Sequence, residues 1–237
     1  MCGRITQHAT PDELVELMGI DLWDAQDFDS RFHVRPTQQV LTVRQMPAGR
    51  QAVMLRWGLI ARDRDDPYAG PVLFNARSET VSRTRSFQEP FRQRRCLVAA
   101  SGFFEWPKSA ASPKIRYHIR MKDRSLFAFA GLWDRWEHHG NAIESCTFCT
   151  TDANDLIRSI HDRMPVVLPR DQFAFWLDPS NDDAAALKAL LRPFPSELLE
   201  MYPCRSFAKP PDDRSPAWIE PRTEPVLKAK TLFDLDD

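Results

Sequence analysis

The sequence predicts a single α+β domain, mostly β, with a curved or barrel-like antiparallel sheet and helices at its periphery. Three observations predict it. Short apolar runs rich in β-branched and aromatic residues recur between residues 40 and 150, as a succession of short strands requires. Helical periodicity is confined to the two ends of the chain. No internal repeat, low-complexity linker or break in composition divides the 237 residues, and so many strand edges favour closure of the sheet on itself.

The elements follow in order. Thr10-Pro11-Asp12-Glu13 supplies an N-cap, a proline at the first helical position and a capping-box glutamate, and Gly19 stops the helix one short amphipathic stretch later. Strands are expected at 40–43, 53–57, 72–74, 96–98, 115–121, 126–130 and 145–150. Ile115, Tyr117, Ile119 and Met121 alternate with polar neighbours, the pattern of a half-buried strand. Helices are expected at 152–160, 170–177 and 182–191, after which prolines interrupt every candidate element. The domain is therefore drawn over 2–205, with a Pro/Asp-rich tail over 206–237.

Composition excludes several classes. With 32 Lys and Arg against 33 Asp and Glu, the chain is no polycation that wraps nucleic acid through bulk charge. Five cysteines without framework spacing, in a chain this long, point to free thiols in a reducing compartment. No run approaches the roughly 18 apolar residues of a membrane span, and the opening residues lack an export-type apolar core. A cytoplasmic protein without membrane contact is expected. Charge is nonetheless segregated: residues 56–95 hold nine arginines, five acids and no lysine. A solvated face and a phosphate-recognising patch both fit this run.

Several residues could carry chemistry. Removal of Met1 would leave Cys2 as a 1,2-aminothiol, whose α-amine has an ordinary pKa near 7.7–8.0 and can condense with an aldehyde. The thiol can then close onto the imine carbon as a thiazolidine. A cysteine near a terminus can equally be incidental. Asn75 and Arg77, two apart at a strand end, would face one side. Glu105 lies among aromatic residues; burial would raise its pKa and fit it for proton transfer, whereas a salt bridge to an arginine is the alternative. His161, before Asp162-Arg163-Met164-Pro165, fits either a structural hydrogen-bonder or a catalyst. Cys146-x-x-Cys149 is not read as a metal or redox site, because a separation of three puts the two thiols on opposite strand faces. His138-His139 beside Gly140 reads as an exposed turn. No metal and no cofactor is expected.

Taken together, Cys2-Gly3-Arg4, Phe32-His33-Val34-Arg35-Pro36, Arg56-Trp57-Gly58-Leu59, Asn75-Ala76-Arg77-Ser78-Glu79-Thr80, Arg95-Cys96-Leu97, Ser101-Gly102-Phe103-Phe104-Glu105-Trp106, Thr150-Thr151-Asp152-Ala153-Asn154 and His161-Asp162-Arg163-Met164-Pro165 resemble the SOS response-associated peptidase (SRAP) family of abasic-site processing proteins. The motifs run in family order over residues 2 to 178. The resemblance implies one compact β-rich fold that senses abasic sites in single-stranded DNA and shields them in a covalent thiazolidine crosslink.

It further implies Cys2 as the nucleophile, Asn75 as the group orienting it, Glu105 as general acid/base and His161 as the partner that protonates the departing sugar oxygen or stabilises the imine. Arg4, Arg77, Arg85 and Arg163 would hold phosphates, with Thr150 adding a hydrogen bond. The implied enzyme class is peptidase/hydrolase or lyase, and the implied partner is abasic single-stranded DNA, bound by a monomer in the cytoplasm and at the nucleoid. Gly3, Gly58 and Gly102 fall inside the motifs, where close approach of backbone to nucleic acid is expected. A thiol peptidase pairing Cys2 with His161, and a non-covalent single-stranded DNA-binding module, are the alternatives. The chain departs from the usual pattern at His33 and Arg35, where Asn and Ala are common, at Ala61 and Ala99, where proline is, and beyond Pro203.

Overall fold

The computed structural model describes residues 2–107, 115–138 and 140–223. Local chemistry fixes its first helix, α1 (Pro11–Met18): Thr10 accepts from the backbone of Glu13, the Glu13 carboxylate accepts from the Thr10 N–H, and Gly19 closes the helix at φ 60°. Before and after it run β1 (Ile5–Gln7), β2 (Leu22–Asp24), β3 (Arg31–Val34), β4 (Gln39–Met46), β5 (Gly49–Trp57) and β6 (Asn75–Arg77). Next come α2 (Arg85–Gln93), β7 (Arg95–Ala100), β8 (Gly102–Glu105), β9 (Tyr117–Met121), β10 (Phe127–His138) and β11 (Asn141–Asp152). The chain continues through α3 (Asp155–Arg158), β12 (Arg163–Pro165), β13 (Val167–Leu168), α4 (Phe173–Leu177), α5 (Ala184–Ala189) and β14 (Leu199–Pro203).

Five of these strands close a barrel. β5, β4, β7, β10 and β11 pair antiparallel in that order, and a parallel pairing of Ser145 with Arg56 and Cys146 with Trp57 joins β11 back to β5. Strand alternation then feeds two cores. Val40, Leu55, Trp57, Cys96, Val98, Phe129, Cys146 and Phe148 share one cluster, whereas Leu41, Val43, Ala52, Leu97, Ala99, Ala128 and Cys149 belong to another with residues of α1, α2 and α4. Cys146 and Cys149 thus face different cores, and all five cysteines are free and buried.

A second, open sheet in the order β14-β9-β8-β1-β3 is antiparallel throughout. Its β1 and β8 strands contribute Ile5 and Phe103 to the first of those cores. Its other side is covered by a small third cluster of Phe32, Phe104, Cys204 and Trp218. Residues 206–223, expected in the tail, therefore pack back onto the body, and 224–237 lie outside the described residues.

Several elements depart from expectation for identifiable reasons. Residues 152–160 do not form one helix: Asp152 ends β11, and Asn154 caps the short α3 by accepting from Ile157 N. The segment 170–177 splits into a 3-10 turn at Arg170–Gln172 and α4. The strand expected at 72–74 starts instead at Asn75, with Leu73 making only a single bridge to Leu59. His138 is the last residue of β10, paired with Asn141, rather than part of a turn; His139 lies outside the described residues. Among the described residues no helix is long and apolar enough to cross a membrane.

Candidate active site

The N-terminal segment is positioned by β8. Ile5 pairs with Phe103 and Thr6 with Gly102, and Phe104 N donates to Arg4 O at 2.9 Å. Continuing this antiparallel register brings Gly3 opposite Glu105, so Cys2 reaches the same place. β6 arrives from the other direction, alongside β11, with Asn75 in register with Phe148 and Arg77 with Thr150. Asn75 Nδ2 donates to the Cys2 carbonyl at 2.9 Å. Three segments distant in sequence, 2–4, 75–77 and 102–105, are thereby joined at one point.

Cys2 is buried within the barrel-side core rather than presented to solvent. Its Sγ donates to Arg4 O at 3.5 Å. Burial, reinforced by the nearby charge of Glu105, pushes the thiol well above its ordinary pKa, so it rests as a thiol. Glu105 is buried too, and its carboxyl is pushed up to about 7 by that burial. The expected alternative, a salt bridge to an arginine, is not what holds it: Glu105 Oε1 has no hydrogen-bond partner. Asn75 Oδ1 is likewise buried and unpartnered. Native proteins pair nearly all such atoms, because each orphan costs about 1–3 kcal/mol.

His161 borders this cluster through its own loop. Its Nδ1 lies 3.0 Å from Arg163 N, 3.2 Å from Arg163 O and 3.2 Å from Asp162 Oδ1, a donor and two acceptors on one ring nitrogen, whose role follows the tautomer. The charge of the adjoining Asp162 adds to the rise of the Glu105 pKa, so the 161–162 loop faces the carboxyl. Thr150 is fully buried on β11 and meets Arg163 Nη2 at 3.5 Å through Oγ1.

The four arginines expected at phosphates differ in surroundings. Arg77 is exposed, and its guanidinium has no partner among the described residues. Arg4 binds Gly3 O at 2.6 Å through Nη1 and is otherwise open. Arg163 is committed to Glu79 at 2.5 Å, Asp152 at 2.9 Å and Thr150 O at 2.6 Å, a tie between β12, β11 and the turn after β6. Arg85 starts α2, is 84% exposed and pairs with Asp63 at 2.6 Å, outside the Cys2 cluster.

Two of the motif glycines have an internal reason. A Cβ on Gly102 would lie 2.2 Å from His118 Nε2, and one on Gly58, at φ +128°, would lie 2.6 Å from Val72. Close packing at both, and the positive φ at Gly58, favour glycine there. Sequence reasoning also passed over Trp106 and Arg35, which lie with Arg4 on one cavity wall. Their signal was weak, since both were read only as parts of longer motifs.

Near its N-terminus the barrel protein thus holds a buried cysteine, anchored by an asparagine, close to a buried carboxyl with one unpartnered oxygen. The chain belongs to the family described as SOS response associated peptidase (SRAP), whose family model matches residues 1–208. It is 37% identical over 222 residues to the abasic site processing protein YoqW of Bacillus subtilis, covering 93% of this chain and 99% of that one. It is 26% identical to the abasic site processing protein YedK of Escherichia coli, covering 75% of this chain and 79% of that one. A crystal structure of a protein from Bacteroides thetaiotaomicron shares the fold at TM-score 0.82 and 27% identity, covering 93% of this chain and all of that one.

Proposed function

We propose that this protein captures abasic sites in single-stranded DNA as a covalent thiazolidine through Cys2, after removal of Met1. The observation that carries the reading is the junction of Cys2, held by Asn75 at 2.9 Å, with a carboxyl whose pKa of about 7 lets it give and take a proton near neutrality. An open abasic sugar offers an aldehyde. The neutral Cys2 amine attacks its carbon, and the carbinolamine loses water as protonated Glu105 supplies the proton to the departing hydroxyl. The Cys2 thiol then adds across the C=N bond: sulfur bonds to carbon and its proton ends on nitrogen. One water is lost overall. His161 opens the sugar ring by protonating its oxygen, and Arg4 and Arg77 take the flanking phosphates. The adduct shields the lesion.

A thiol held as S–H is poorly suited to the peptidase alternative, which needs a thiolate with a lowered pKa; an amine-first sequence needs none. The test compares parent, Cys2→Ala and Cys2→Ser on an abasic single strand in denaturing gels. The parent gives a stable adduct, Cys2→Ala none, and Cys2→Ser an adduct that survives only after borohydride traps its imine. Equal crosslinking by Cys2→Ala would remove Cys2 from the chemistry.

A further inference from the structure

The groups that make and break bonds at the Cys2 junction are enclosed. Cys2 is 1% exposed and Glu105 3%, and Ile5, Val34 and Phe103 share the apolar cluster of Cys2. Asn75 spends its Nδ2 on the Cys2 carbonyl, which leaves its Oδ1, together with Glu105 Oε1, as a buried acceptor without a donor. Tyr117 stands opposite Glu105 across the pairing of β8 with β9. None of these groups reads a phosphate or a base; a polyanion would be held by the arginines outside, such as the exposed Arg77.

An aldehyde alone satisfies the inner set. Addition of an amine to a one-carbon aldehyde gives a carbinolamine with one O–H and one N–H, two donors for the two orphaned acceptors. Near neutrality such condensations wait on departure of the hydroxyl as water, which a proton donor accelerates. Glu105, pushed up to about 7 by burial, is still partly protonated there. Enclosure then selects by size: a small free aldehyde needs no contact beyond the junction itself.

We propose that the Cys2 site also condenses with free one- and two-carbon aldehydes, and that a site so occupied is closed to DNA. This rests on the reading of Cys2, freed of Met1, as the aminothiol that captures abasic sites. The amine nitrogen bonds to the aldehyde carbon and one of its protons passes to the oxygen. Glu105 protonates that hydroxyl, which leaves as water. The thiol sulfur bonds to the iminium carbon, nitrogen keeps its one hydrogen, and the thiol proton returns to Glu105. Formaldehyde thereby adds one carbon atom to the protein, and nitrogen and sulfur are both engaged in the ring.

The test is intact mass spectrometry of the protein lacking Met1 after incubation with formaldehyde at neutral pH, with peptide mapping, followed by removal of the aldehyde and challenge with an abasic single strand. The parent should gain one carbon atom on the peptide that begins at Cys2, about tenfold faster than a synthetic peptide of residues 2–10, and DNA crosslinking should fall in proportion to the fraction converted. Glu105→Gln should slow the gain about tenfold or more, and Glu105→Asp should recover part of the rate. The proposal is overturned by a parent that crosslinks DNA but gains no carbon at Cys2, by equal rates in the parent and Glu105→Gln or in the parent and the peptide, or by undiminished DNA capture in fully converted protein. A Glu105-dependent carbon gain in a protein that never crosslinks the abasic strand would uphold it and overturn the reading of DNA capture instead.

Discussion

Glu105 and Asp134 are equally buried, each 3% exposed, and live in opposite surroundings. Asp134, on β10, pairs with Arg62 Nε at 2.6 Å and Arg94 Nε at 3.1 Å and accepts from Arg135 N at 2.8 Å. Glu105, at the end of β8, is near no arginine that pairs with it, has an orphaned oxygen, and shares its place with the orphaned Asn75 oxygen. The first carboxylate ties a loop and α2 to the barrel. The second raises the free energy of the fold locally and gains a pKa of about 7. Depth of burial alone therefore does not set a carboxylate's surroundings; the presence or absence of arginine partners is what separates these two.

The sharpest way to break this contrast is to neutralise each carboxylate in turn. Glu105→Gln should slow crosslinking of an abasic single strand by about 10²–10³-fold, the range of lost general acid–base catalysis, without destabilising the fold. Asp134→Asn should leave the crosslinking rate within a factor of about two while lowering stability by about 2–4 kcal/mol in urea titrations, because buried Arg94 loses its buried partner and keeps only the half-exposed Glu89. A slow Asp134→Asn or a fast Glu105→Gln would erase the distinction.

The pH dependence sharpens it further. The folded pKa of Glu105, about 7, lies above its ordinary 4.5, so its favourable contribution is complete below 4.5 and is lost as pH rises through 7. Between those limits the parent should lose on the order of 3 kcal/mol relative to Glu105→Gln, measured as the difference between two urea series. A constant difference across the window would contradict the raised pKa. The smallest effect belongs to Arg77→Ala: binding of single strands should weaken severalfold for every sequence, and the slope of log affinity against log salt should fall by about 0.7. An unchanged slope would remove Arg77 from the phosphates.

The elements legible in the sequence are those whose determinants are local. Thr10, Glu13 and Gly19 announce α1 because cap and stop lie within one helix, and the runs at 40–43, 53–57, 96–98 and 145–150 fall within β4, β5, β7 and β11. α2 stayed hidden although Phe87, Pro90 and Phe91 mark its buried face, because a proline and charged neighbours mask a stripe of only three residues. The barrel closure was illegible in detail, since the parallel contact of Arg56 and Trp57 with Ser145 and Cys146 spans about ninety positions and leaves no periodic trace. Of the site, the residue types at 2, 75, 105 and 161 were readable as motifs, but the junction of Asn75 with Cys2, the burial of that thiol and the orphaned Glu105 oxygen arise only when β1, β6 and β8 meet.

The most direct test of capture at Cys2 is intact mass spectrometry of the protein before and after incubation with an abasic single strand, followed by peptide mapping. The expected result is a starting mass lacking Met1 and a product heavier by the oligonucleotide less one water, with the added mass on the peptide that begins at Cys2. Retention of Met1 in protein that still forms the adduct, or mapping of the added mass to any other residue, would contradict it.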